Sequence, residues 1–165
     1  MISGSFANQF MVPFGATATL LALIAAGLWV AVLGGKEKWR MPLAVLIGLA
    51  IGIAVPKLGI SLPFRSLVLP LSVIGLGLLV VFDVVLGGLI GLAIGAVIFV
   101  YHGAAIGPRG SDFLGFLGFA VGALTALAAG IGFDSIVVNA TSSRGVRVLG
   151  GLIALGGAWL LYLAL

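Results

Sequence analysis

The chain has 165 residues, 62% of them hydrophobic and 7% charged, with a net charge of +4 and no cysteine. A water-soluble domain carries about 25% charged residues, so a soluble fold that must cover its surface with so few charges is excluded, and the bilayer is the expected solvent. The eight Lys and Arg are scattered, which gives a membrane orientation signal rather than a nucleic-acid surface, and disulfides and thiolate metal sites are excluded.

The apolar runs are continuous and about 20 residues long, which favours helices over the roughly 10-residue alternating strands of a barrel. Residues Met1 to Phe10 are mildly polar, with Asn8 and Gln9, and no basic stretch precedes the first apolar run, so no standard cleaved leader is expected there. The first helix is expected from Pro13 to Leu33, closed by Gly34-Gly35, because glycine readily takes the left-handed conformation of a helix C-cap. The loop Lys36 to Arg40 is the most charged stretch, and Trp29 and Trp39 suit the headgroup level.

A second helix is expected from Pro42 to Val55, carrying Gly48 and Gly52, and a third from Phe64 to Phe82 with a kink or an early break at Pro70. Asp83 is the expected N-cap of a fourth helix, Val84 to Tyr101, and the short connection makes helices three and four an antiparallel hairpin. The fifth helix is expected from Phe113 to Gly132, with Gly118 and Gly122. A polar connection, Asp134 to Gly145, leads to a sixth helix, Val146 to Leu165, with Trp159 and Tyr162 near its end. The expected fold is therefore all-α: a polytopic membrane protein in a single domain, residues 1–165, with six transmembrane helices packed through glycine-rich faces.

Gly87, Gly91 and Gly95 recur every four residues, so they share one helix face. Together with Gly48, Gly52, Gly118 and Gly122 they are read as packing surfaces, since close backbone approach drives helix association in lipid; a narrow conduit lined by glycine carbonyls is the other reading. His102 is the one histidine. At a helix end beside Gly103 it has a structural reading, bonding the last carbonyls, and a functional one, because intramembrane ionisable groups mark pathways. Thr17, Thr19 and Thr125 are expected to bond back to carbonyls one turn earlier, or else to line a solute path with Tyr101 and His102. Arg109 and Asp112 are close enough in sequence to pair. Four carboxylates, with no acid–base spacing or nucleophile motif among them, argue against an enzyme. Counting Lys and Arg on the two sides gives five against three, which places both termini outside the cytoplasm.

The order of these signals resembles the HupE/UreJ family of small bacterial membrane proteins. The similar stretches are Ser5-Phe6 to Pro13-Phe14, Leu20 to Trp29 with Leu33-Gly34-Gly35, Leu71-Ser72-Val73 to Leu79, Tyr101-His102-Gly103 with Gly107, and Gly118-Phe119 to Gly130-Ile131-Gly132. The resemblance implies a bacterial inner-membrane protein associated with nickel or cobalt supply to hydrogenase and urease. It also implies a first-helix signature of the form H-P-x-x-G-x-D-H. Here that stretch is Val12-Pro13-Phe14-Gly15-Ala16-Thr17-Ala18-Thr19, so only the proline is kept; Ile106 and Leu127 stand at two further histidine positions. These apolar residues cannot ligate a metal, and threonine suits nickel poorly. The expectation is a scaffold without its metal site: a non-enzymatic accessory or structural component that needs no cofactor. Its partners would be the lipid bilayer and a homo-oligomer or larger membrane complex, with no nucleic acid. The alternative is a transporter or channel for nickel, cobalt or a small neutral solute.

Overall fold

A computed structural model describes residues 2–86, 88–107, 113–141 and 143–165. Among these residues the secondary structure is entirely helical: α1 (Ile2–Gly15), α2 (Thr17–Leu33), α3 (Glu37–Lys57), α4 (Arg65–Val81), α5 (Gly88–Ile106), α6 (Phe113–Thr141) and α7 (Ser143–Ala164). Four of them, α3, α5, α6 and α7, are long and apolar enough to cross a membrane. The pair α1 and α2 passes that test jointly but is bent by 80°, and α4 is a shorter apolar helix.

The first expected helix is thus two. Pro13 has no N–H for the helix ladder, and Gly15 is a weak helix former. Immediately after them Ala16 turns to an extended conformation, φ −97°, ψ 93°. The polar start of the chain is nonetheless helical, for a tertiary reason. Gly118 and Gly122 of α6 have no side chains where the Phe6 and Phe10 carbonyls of α1 pass, so α1 lies in a groove of α6. Packing, rather than local propensity, usually decides whether a short helix forms.

The other end of α2 is as expected. Gly34 has φ 65° with ψ −165°, and its N–H bonds the Val30 carbonyl, a positive-φ exit that glycine takes without steric cost. Trp29, assigned from sequence to the headgroup level, is instead fully buried, and its indole Nε1–H donates to the Val84 carbonyl at 2.9 Å. Trp39 is 80% exposed.

Asp83 does not cap the fourth expected helix. It has φ 55°, and its N–H closes a turn onto the Val80 carbonyl. It therefore ends α4, whereas α5 starts five residues later at Gly88, which also has positive φ. The two helices of the expected hairpin do meet, Ser72 of α4 reaching His102 of α5, but neither is the other's main packing partner. Helix α4 runs instead along α7, where Gly77 faces the Gly150 carbonyl and Gly157 faces Pro70 and Ile74. Helix α5 runs parallel to α3, where Gly48 faces the Ala96 carbonyl, Gly52 the Val100 carbonyl, and Gly103 the Leu49 backbone. Pro70 sits inside α4 without ending it.

Helix α6 is longer than its hydropathy implies. It passes through Asp134 and Ser135 to Thr141, much of what reads as a polar connection. The Ser135 hydroxyl donates back to the Ile131 carbonyl and that of Thr125 to Val121, so both polar groups are satisfied within the helix. The glycine ladder of α5 also works differently from its periodicity. Gly95 leaves room for the Met41 side chain, and Gly91 lies by Trp29 and the Leu86 carbonyl. The close backbone approach on α5 is made at Ala96, Val100 and Gly103. Gly87, Arg109 and Asp112 lie outside the described residues.

Candidate functional site: a buried histidine between two hydroxyls

His102 is not at a loop. It lies in α5, fully buried, one turn from the end of that helix. Three helices place its surroundings. The break at Ala16 sets the first turn of α2 so that Thr19 faces α5, and the Thr19 Oγ1 lies 2.9 Å from His102 Nδ1. Helix α4 brings Ser72 to the other side of the ring, its Oγ 2.9 Å from Nε2. Phe99, one turn back on α5, covers the imidazole at a centroid distance of 5.5 Å. Gly103, beside His102, lets the Leu49 backbone of α3 close against α5.

The proton positions follow from counting donors. Ser72 donates its hydroxyl proton to the Leu69 carbonyl at 2.7 Å. A hydroxyl has one proton, so Ser72 accepts from His102 Nε2–H. The neutral ring then has a bare Nδ1, which accepts from the Thr19 hydroxyl. A doubly protonated ring would be a buried cation between two neutral hydroxyls, which is costly in apolar surroundings. The chain Thr19 → His102 → Ser72 → Leu69 carbonyl leaves every polar atom satisfied, and no buried side-chain N or O among the described residues lacks a partner. It ties α2, α4 and α5 together.

This arrangement suits a structural tether and does not suit a divalent cation. One imidazole nitrogen carries a proton and the lone pair of the other is engaged. The flanking hydroxyls are poor ligands for nickel-type ions, which prefer imidazole or thiolate donors. Among the described residues no group of three or more His, Asp, Glu or Cys could hold a metal ion. Val12, Ala18 and Ile106 are half-buried against the core and Leu127 is buried in it.

Of the site residues expected from sequence, Thr19 and His102 are brought into contact. Thr19 makes that interhelical bond where a bond to its own helix is the local expectation. Thr17 is exposed, and Tyr101 is half-buried. Ser72 is the partner that sequence reading passes over. Its signal is faint: one hydroxyl in the apolar run Leu67 to Val81, two residues after a proline.

Two features lie away from this cluster. At the end where α4 stops, Arg147 Nη2 of α7 is 3.4 Å from Asp83 Oδ2, with both side chains about half exposed. They line a cavity of about 200 Å3 together with Asp134 and Ser143. At the opposite end an open cavity of about 750 Å3 lies between the exit of α3 and the entry of α4.

Residues 1–160 match the family described as HupE / UreJ protein. Protein HupE of Rhizobium leguminosarum bv. viciae is 34% identical to the chain over 153 residues, covering 90% of this chain and 80% of that protein. No solved structure matches. The chain belongs to the HupE/UreJ family, and its apolar helices make it a multi-pass membrane protein.

Proposed function

We propose that this HupE/UreJ family member is a non-enzymatic membrane component that keeps the family scaffold without a metal-binding signature, and acts as an accessory or structural subunit. The observation that carries this reading is the closed hydroxyl–imidazole–hydroxyl chain at His102. Where a metal or solute path would need an open lone pair or a wet cavity, the ring is fully buried and bonded on both sides. No resident cofactor enters the proposal.

The reading includes six membrane crossings, with α1 and α2 as one broken span. Helix α4, with 17 residues, is about 25 Å long, close to the roughly 30 Å hydrocarbon thickness. Six crossings bring both ends of the bundle to one side, outside the cytoplasm by the Lys and Arg balance of the loops, in a bacterial inner membrane. Glycine faces supply the association between spans. The outer faces of α3, α5 and α7, with exposed Ile47, Ile51, Leu89 and Leu155, meet lipid, a second copy or a larger membrane complex.

The broken span favours a second reading. Discontinuous helices often mark binding sites in transporters, so a path for nickel, cobalt or a small neutral solute past Thr17, Thr19, Tyr101 and His102 is the competing function. Purification in mild detergent, with cross-linking and mass determination, separates the two. The accessory reading predicts co-purification of a membrane partner or second copy in fixed stoichiometry. A solitary monomer that moves a solute across reconstituted vesicles would end it.

A further inference from the structure

The end of the bundle where α3 leaves and α4 enters has a feature that the buried histidine cluster does not use. The cavity of about 750 Å3 there is lined by Ser61, Phe64, Arg65, Ser66 and Ala104, among others. The Arg65 guanidinium is held at its wall by one N–H, which donates to the Ala104 carbonyl of α5 at 3.4 Å. A guanidinium has five N–H donors in a planar fork, so the others remain for a ligand. A second cavity of about 270 Å3 shares Pro56 and Ala104 with the first and reaches Lys57, the last residue of α3. Among the described residues lining the two, none is acidic.

The depth of this site identifies its ligand class. Lys57 ends one apolar helix and Arg65 begins the next, so the pair stands where spans meet the headgroup layer. Ile60 and Phe64, 54% and 74% exposed, line the larger cavity and give it an apolar rim open to the surroundings. A basic pocket between helix ends with an apolar rim fits an amphipathic anion. An arginine fork matches phosphate oxygens in bidentate geometry. We propose that the joined cavities seat the phosphodiester headgroup of an anionic phospholipid, with Arg65 as the principal contact, Lys57 as the second positive charge, and Ile60 and Phe64 against the acyl chains.

The test uses the full chain in lipid nanodiscs made of phosphatidylcholine with an equal share of phosphatidylglycerol, followed by native mass spectrometry of the lipids retained. The expected result is preferential retention of phosphatidylglycerol. Arg65→Gln lowers that retention about fivefold, the loss of one interfacial cation–phosphate contact. It leaves phosphatidylcholine retention unchanged, and Arg65→Lys keeps an intermediate preference. Lys57→Gln gives a smaller loss and stands as the second variant if Arg65→Gln does not fold. Equal retention of both lipids by the wild type, or an undiminished preference in Arg65→Gln, would overturn the proposal. Displacement of phosphatidylglycerol by millimolar inorganic phosphate would overturn it too, as the mark of a free-anion site.

Discussion

Replacing Thr19 with valine removes one hydroxyl and almost no volume, and so isolates the bond from Thr19 Oγ1 to His102 Nδ1. Both residues are at or below 1% exposure, so water cannot take over as the lost donor. The imidazole must keep an unsatisfied nitrogen or exchange its proton, and then the Ser72 bond at 2.9 Å is lost instead. Leaving a buried polar atom unpaired costs about 1–3 kcal/mol in soluble proteins. Hydrogen bonds between transmembrane helices are worth roughly 0.6–2 kcal/mol. The expected cost of Thr19→Val is therefore about 1–2 kcal/mol, and of Ser72→Ala about the same. The assay is reversible unfolding in mixed micelles with increasing dodecyl sulfate, followed by helicity and by the fluorescence of buried Trp29. A double-mutant cycle with His102→Leu should show coupling of about 1–2 kcal/mol between positions 19 and 102, since the valine costs nothing further once the ring is gone. A Thr19→Val protein as stable as wild type, or additive effects of the two substitutions, would refute the tether.

Three other outcomes follow from the same geometry. A methyl group at Gly52 would meet the Val100 carbonyl and the Ala104 nitrogen, whereas at Gly75 it meets nothing within 4 Å. Gly52→Ala should therefore cost about 1–3 kcal/mol as overpacking, and Gly75→Ala should be neutral or stabilise by up to about 1 kcal/mol, both read in the micelle titration. Trp29→Phe loses the bond to the Val84 carbonyl and should cost about 1 kcal/mol, with helicity as the readout in place of tryptophan fluorescence. Asp83→Asn breaks an exposed ion pair with Arg147 and should change stability by less than about 0.5 kcal/mol at low salt, an effect that disappears on raising salt.

Much of this fold is legible in the sequence because lipid imposes long apolar runs. Gly34 and the faces at Gly48, Gly52, Gly118 and Gly122 can be read directly, since close approach needs the absence of a side chain whichever helix comes near. What cannot be read is which helix comes near. The short connection at Asp83 reads as a hairpin, yet α4 pairs with α7 and α5 with α3, because the glycines of each helix match partners distant in sequence. Polar residues mislead in the same way. Asn8, Gln9, Asp134 and Ser135 look like connections but lie in helices, where one packs into the groove of α6 and the other bonds its own carbonyls. At the site, His102 and Thr19 stand out as rare polar side chains. Their contact, 83 residues apart, and the role of Ser72 depend on the bend at Ala16 and on the placement of α4, which local patterns do not encode.

On the proposed reading the His102 cluster is a closed hydrogen-bonded tether rather than a site for a divalent ion. Isothermal calorimetry of the detergent-purified chain with nickel, beside His102→Ala, separates the two. A tether gives no saturable binding in the wild type and no difference from the variant. Saturable binding that disappears in His102→Ala would contradict it.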